Sequence, residues 1–217
     1  MADSEFTLAA LFASTHEDLP DAQPNILTVC TGNICRSPLA ETVLATRLAD
    51  LDVRVHSAGT QALVGHGMPS EARELAERNG VPAQRAAEHR ARLLSEQLMH
   101  DADLVLTMTA QHSTAAVQIS PRRLHRTFTV REFARLAASL DDGVLRSIIR
   151  VSGNPRTRLN TLVQAVADQR GVVPRPGGDE DVIDPYRQPT EVYERSASQM
   201  LPPLAQVERV VRLALQH

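Results

Sequence analysis

Ile26-Leu27-Thr28-Val29-Cys30-Thr31-Gly32-Asn33-Ile34-Cys35-Arg36-Ser37-Pro38 is the stretch on which the reading of this chain turns. A β-prone apolar run ends at Cys30, and Arg36 follows after five intervening residues. Behind it, Leu39-Ala40-Glu41-Thr42-Val43-Leu44-Ala45 has the pattern of an amphipathic helix. A strand–loop–helix junction brings several backbone N–H groups and the positive end of a helix dipole to one point, which suits an anion. Arg36 adds a planar donor fork matched to phosphate oxygens. A cysteine in that field attacks as the thiolate, so the chemistry indicated is phosphoryl transfer to Cys30. The plainer reading is a core strand ending in a buried Cys30, with Arg36 on the surface. The Gly32-Asn33 turn and the Ser37-Pro38 helix start weigh against it, because they supply the context that a bare cysteine–arginine spacing lacks.

Composition narrows the rest. A chain of 217 residues is expected to form one main domain, and with 3% aromatics and no tryptophan its core must be mostly aliphatic. A formal net charge of -3 argues against general nucleic-acid binding. Every basic side chain besides histidine is arginine, so lysine Schiff bases and a Walker-type lysine are excluded. Both cysteines lie in the loop, which rules out a disulfide scaffold and points to a reducing cytoplasm. The apolar run Leu8 to Ala13 sits among acidic residues, unlike a signal peptide, and no segment is expected to enter a membrane.

Along the chain, residues 1–23 are expected to be an extension and residues 24–217 the domain. Strands are predicted over 26–29, 53–57, 103–108 and 127–130, alternating with helices over 38–49, 71–79, 111–119 and 131–138. That alternation predicts an α/β fold, a parallel sheet covered on both faces. Residues at about 139–180 are expected to be an insertion, with a helix-like 157–169 and a Gly/Pro-rich end, and to form a solvated loop rather than a docking element. A final helix over about 190–214 should be kinked or interrupted at Pro202 and Pro203.

Cys30 through Pro38 resembles, position by position, the signature loop of the low-molecular-weight protein tyrosine phosphatases, and the bacterial branch in particular. That resemblance implies a flavodoxin-like three-layer sandwich with a four-stranded parallel sheet and a phosphate loop after the first strand. It implies Cys30 as nucleophile, and Thr31, Gly32, Asn33, Ile34, Cys35 and Arg36 as the phosphate-binding loop. Asp181-Val182-Ile183-Asp184-Pro185-Tyr186 is similar to the family's general-acid loop, which makes Asp184 the proton donor and Asp181 its runner-up. Ser57-Ala58-Gly59-Thr60 and His89-Arg90-Ala91-Arg92 resemble two further family segments. By that likeness Ser37, Ser57 and His89, with Asn33, support the loop in an anion-ready shape. Departures occur at Leu63, where many members carry a bulky aromatic, and at Thr109, often acidic in relatives. Leu63 and Tyr186 are then the expected substrate walls.

The implied enzyme is a protein-tyrosine-phosphatase working through a phosphocysteine intermediate, without cofactor or metal. Its implied partner is a tyrosine-phosphorylated protein, such as a bacterial tyrosine kinase. A protein arginine phosphatase is the alternative, ranked lower because that branch commonly carries threonine where Ile34 stands. Thiol-dependent arsenate reductases share the loop but use further cysteines, and none follows Cys35. A phosphoprotein-binding pseudophosphatase is the non-enzymatic alternative, and retention of Cys30, Arg36 and Asp184 argues against it.

Overall fold

The computed structural model describes residues 23–150, 153–175, 177–178 and 180–216. The extension expected over 1–23 therefore lies, except for Gln23, outside the described residues. Strand β1 (Asn25–Cys30) is buried at all six positions. It lies inside a sheet of order β2-β1-β3-β4, with β2 at Arg54–Gly59, β3 at Leu104–Thr107 and β4 at Thr127–Thr129. All three pairings are parallel. A strand buried on both faces needs apolar residues at odd and even positions alike, which is why 26–29 reads as an almost unbroken apolar run. Ile26 and Cys30 face one hydrophobic cluster, whereas Leu27 and Val29 face another.

The helices in chain order are α1 (Arg36–Arg47), α2 (Ser70–Arg78), α3 (Ala83–Glu88), α4 (Glu96–Asp101), α5 (Ala110–Ile119), α6 (Val130–Ala138), α7 (Asp142–Ile149), α8 (Pro155–Asp168) and α9 (Thr190–Leu215). Val43 and Leu44 of α1, Phe133 and Leu136 of α6, and Leu204, Val207 and Val211 of α9 fill the larger cluster. Met99 of α4 and Ala116 of α5 close the opposite face with Leu94 and Ala102. The result is a three-layer α/β sandwich. From β1 the chain first adds β2 on one side and later β3 on the other. The carboxyl end of β1 thus opens beside the crevice where such folds bind ligands.

Two expectations are corrected. Residues 142–149 and 155–168 are not part of a solvated loop. They form α7 and α8, whose Leu145, Ile149, Leu159, Leu162, Val163 and Val166 are fully buried in the main cluster. Burying each such side chain contributes about 1.5–3 kcal/mol relative to exposure, too much for the segment to remain in solvent. α8 is also pinned electrostatically. Arg156 Nε donates to both oxygens of Asp103, at 2.9 and 3.0 Å, and Asn160 Nδ2 donates to Oδ1 at 2.9 Å. Asp103 is wholly buried, so its carboxylate requires these partners.

Pro202 and Pro203 do not interrupt the last helix, since α9 runs helical from Thr190 to Leu215. The prolines withhold N–H groups from the carbonyls of Ser198 and Gln199, but Met200, Leu204 and Val207 on the buried face keep the helix seated.

Candidate active site

Cys30 is the last residue of β1, and α1 begins at Arg36, so the five residues between them form the loop. The loop is wrapped from outside by the segment after β2. Thr60 N–H donates to Cys30 O at 2.9 Å, Gln61 N–H to Thr31 O at 3.0 Å and Leu63 N–H to Gly32 O at 3.0 Å. These three carbonyls are thus taken up from outside, and the loop leads straight into the α1 N-terminus. No acidic side chain in the first turn of α1 competes for that positive end. Gly59 allows the close approach, because a Cβ there would overlap the Thr31 carbonyl oxygen.

Asn33 holds this shape. Its φ is 55°, a left-handed conformation that asparagine tolerates better than most residues. Its Nδ2 donates to Ser57 Oγ at 2.7 Å and to Ser37 Oγ at 3.0 Å, while its Oδ1 accepts the Arg92 N–H at 2.9 Å. His89 Nε2 donates to the Asn33 carbonyl at 2.7 Å, and Ser57 Oγ donates to Glu41. Ser37 Oγ lies 3.0 Å from Cys30 Sγ, and the Asn33 N–H points at the same sulfur from 3.3 Å. Ser37, Ser57 and His89 are thus brought together around Asn33. Asn33 is fully buried, and its N–H points at the sulfur.

Opposite the loop lies the segment 180–188. Asp184 Oδ2 is 2.6 Å from Arg36 NH2, and Arg36 NH1 donates to Val182 O at 3.1 Å. Arg36 is nearly buried, and its Nε is the one nitrogen of the fork with no hydrogen-bond partner among the described residues. Val182 N–H is fixed to Met108 O at the end of β3, at 2.8 Å. Asp181 does not reach the pocket. Its carboxylate accepts the Ala110 N–H at the start of α5, at 2.7 Å. Glu180 takes a two-pronged ion pair from Arg135, at 2.7 and 3.1 Å.

The cavity between loop and segment is about 180 Å³ and is lined by Cys30, Thr31, Gly32, Ile34, Cys35, Arg36, Gln61, Leu63, Asp184 and Tyr186. Ile34, Leu63 and Tyr186 make apolar walls around a polar floor. Burial pushes the Cys35 thiol up to about 12, with Cys30 and Asp184 adding to the effect and the Tyr193 hydroxyl, 3.7 Å away, opposing it. Cys35 is therefore a neutral thiol near pH 7. Among the described residues no group of three or more His, Cys, Asp or Glu side chains is gathered for a metal ion. What the site can do is hold a tetrahedral oxyanion on the loop, with a sulfur beneath it and a carboxyl at the far side.

Residues 25–147 match the family model described as low molecular weight phosphotyrosine protein phosphatase. The chain belongs to this family. The low molecular weight protein-tyrosine-phosphatase Etp of Escherichia coli K12 is 39% identical over 97 residues, covering 45% of this chain and 62% of Etp, so the chain spans less than two thirds of that relative. Among solved structures, Vibrio vulnificus Wzb in complex with benzylphosphonate is 25% identical with a TM-score of 0.59, covering 87% of this chain and 99% of Wzb. The YwlE arginine phosphatase from Geobacillus stearothermophilus is also 25% identical, with a TM-score of 0.59, covering 86% of this chain and 91% of that one. The family match ends at residue 147, so it contains the loop and His89 but not Asp184. Asp184 rests on its place beside Arg36.

Within this family site, sequence reasoning missed four residues. Glu41 and Arg92 anchor Ser57 and Asn33; Arg92 was within reach, three residues after His89, whereas Glu41 reads as an ordinary exposed helix position. Arg92 also donates to His56 Nδ1 at 2.6 Å. Tyr193 and His112 give no sequence signal, since they reach the loop from 158 and 81 residues away.

Proposed function

We propose that this protein hydrolyses aryl phosphate monoesters, with phosphotyrosine in a protein as the substrate class, through a phosphocysteine intermediate. The observation that carries the reading is the placement of Arg36 and Asp184 together above Cys30, in a pocket whose remaining walls are apolar. In the first step Cys30 Sγ attacks phosphorus in line, the S–P bond forms, and the P–O bond to the phenolic oxygen breaks. Asp184 gives that oxygen its proton. The amides of the loop and the free Nε of Arg36 take the equatorial oxygens, whose charge they stabilise. In the second step water attacks phosphorus, Asp184 takes the proton, and the S–P bond breaks to return the thiolate and release phosphate.

Ile34, Leu63 and Tyr186 favour a flat apolar leaving group over a guanidinium, which would need polar partners along the wall. The protein partner is a tyrosine-phosphorylated protein, with a tyrosine kinase as the specific expectation. A working thiol fits a reducing cytoplasm, and no helix among the described residues is long and apolar enough to cross a membrane.

Hydrolysis of an aryl phosphate by wild type, Cys30→Ser and Asp184→Asn under reducing conditions tests the reading. Activity is expected to vanish in the first variant and to fall by about 10²–10⁴ in the second. Wild type that binds inorganic phosphate but releases no phenol from any aryl phosphate would overturn it in favour of a binding role.

A further inference from the structure

His112 stands between the phosphate loop and the acid segment. Its Nε2 lies 2.8 Å from Thr31 Oγ1, and its Nδ1 lies 2.9 Å from Thr109 Oγ1. The ring belongs to the first turn of α5 and is 5% exposed. Thr109 caps that helix, accepting the His112 backbone N–H at 3.2 Å. The next residue, Ala110, donates its N–H to Asp181, three positions before Asp184. A continuous set of contacts therefore runs from Thr31, which lines the pocket, through one imidazole to the helix end that supports the acid segment.

Thr109 Oγ1 accepts from the backbone and has a proton to give to Nδ1, an arrangement in which the ring proton sits on Nε2 and is donated to Thr31. That assignment needs a neutral ring. Burial, reinforced by the Arg36 charge and only partly opposed by Asp184, lowers the ring to about 4.

We propose that His112 is a positioning residue that fixes the separation between the phosphate loop, at Thr31, and the acid segment, through Thr109 and Asp181. The proposal rests on the phosphocysteine reading above. A phosphorus held over Cys30 and a leaving oxygen within reach of Asp184 require the two segments to be set to within a fraction of an ångström. These segments are far apart in sequence, and the His112 ring is a hydrogen-bonded link between them that uses no backbone of either.

The experiment compares wild type, His112→Ala, His112→Gln and Thr31→Val on two substrates, phenyl phosphate and p-nitrophenyl phosphate, and measures inorganic phosphate affinity by calorimetry. The nitrophenolate leaves with little help from an acid, whereas phenoxide needs the proton. His112→Ala is expected to lower kcat on phenyl phosphate about tenfold more than on p-nitrophenyl phosphate, and to weaken phosphate binding severalfold. His112→Gln, which keeps a donor and an acceptor, is expected to recover part of both effects. Thr31→Val is expected to weaken phosphate binding by the same factor, and the double variant to be no weaker than His112→Ala alone. An equal fall on both substrates with unchanged phosphate affinity would overturn the proposal, as would additive single effects. Thr31→Val leaves the buried ring in place, so it reads the link even where His112→Ala does not fold. Phosphate affinity needs no turnover, so an inert wild type counts against the phosphocysteine reading while the Thr31–His112 link is still measured.

Discussion

Arg36 and Asp184 meet across the mouth of the pocket, NH2 to Oδ2 at 2.6 Å, with the arginine side chain 5% exposed and the aspartate 50%. The other aspartate oxygen accepts the Tyr186 N–H at 3.1 Å. The cation that would receive phosphate therefore also aims the acid, and it holds the acid's own segment through Val182 O. Arg36→Lys keeps the charge but loses the fork, and should lower kcat/KM by about 10²–10³. Because the same nitrogens hold the acid segment, the fall should be larger for phenyl phosphate than for p-nitrophenyl phosphate. Steady-state kinetics on the two substrates checks this.

Asn33 ties the loop to its surroundings through side-chain hydrogen bonds to Ser37, Ser57 and the Arg92 backbone, the first two buried and the third partly buried. Asn33→Ala removes them and leaves their partners buried. It should destabilise the fold by about 2–4 kcal/mol, given that each orphaned buried group costs ~1–3 kcal/mol and such losses are not additive. Urea unfolding gives the stability change, and activity at a temperature where the variant remains folded gives the effect on the loop.

Gly59→Ala tests the close packing of β2 against the loop. The new Cβ would overlap the Thr31 carbonyl oxygen and touch Asn33 N and Cβ at 3.0 Å. Backbone cannot swing away as the end of a flexible side chain can, so the loop itself must move. Phosphate affinity and kcat should both fall, while the far-UV circular dichroism stays that of the wild type.

Two buried histidines predict an acid-side loss of stability. His56 is lowered to about 4, by burial first and then by Arg92 and Arg54, and His112 to about 4, by burial and then Arg36. In the unfolded chain both titrate near 6.5. Between about 6.5 and 4 the unfolded state binds more protons, so stability falls as pH falls through that window and levels off below it, by on the order of 2 kcal/mol per histidine. Urea midpoints measured from pH 7.5 to pH 4 should decline, and His56→Gln should flatten the slope by about half.

Asp103 carries the attachment of α8 to the bottom of the sheet. Asp103→Ala takes the carboxylate from Arg156 and Asn160 and leaves the Asn25 N–H unpaired, and should cost about 3–5 kcal/mol. Aryl phosphatase activity of the folded fraction should change little, since Cys30 sits at the opposite end of β1. Thermal unfolding and a kinetic assay at low temperature separate the two effects.

The sequence by itself determined the local chemistry: an apolar run ending in Cys30, a loop of five residues, Arg36 opening a helix, and Asp184 before a proline. These are short-range relations, in which the order of side chains dictates backbone shape. The four parallel strands were legible for the same reason, because their buried runs alternate with helical periods. Tertiary structure alone decided which distant groups beyond Ser57 and His89 serve the loop. Glu41, Arg92, His112 and Tyr193 act through contacts across 16, 59, 81 and 158 positions, and their polarity suits a surface as well as a site. It also decided that 142–149 and 155–168 belong to the core. Their apolar stripes give helices, but a stripe does not say what it packs against. Here the buried Asp103 and the face of α9 settled that, through a carboxylate that needed partners and an apolar surface that needed covering.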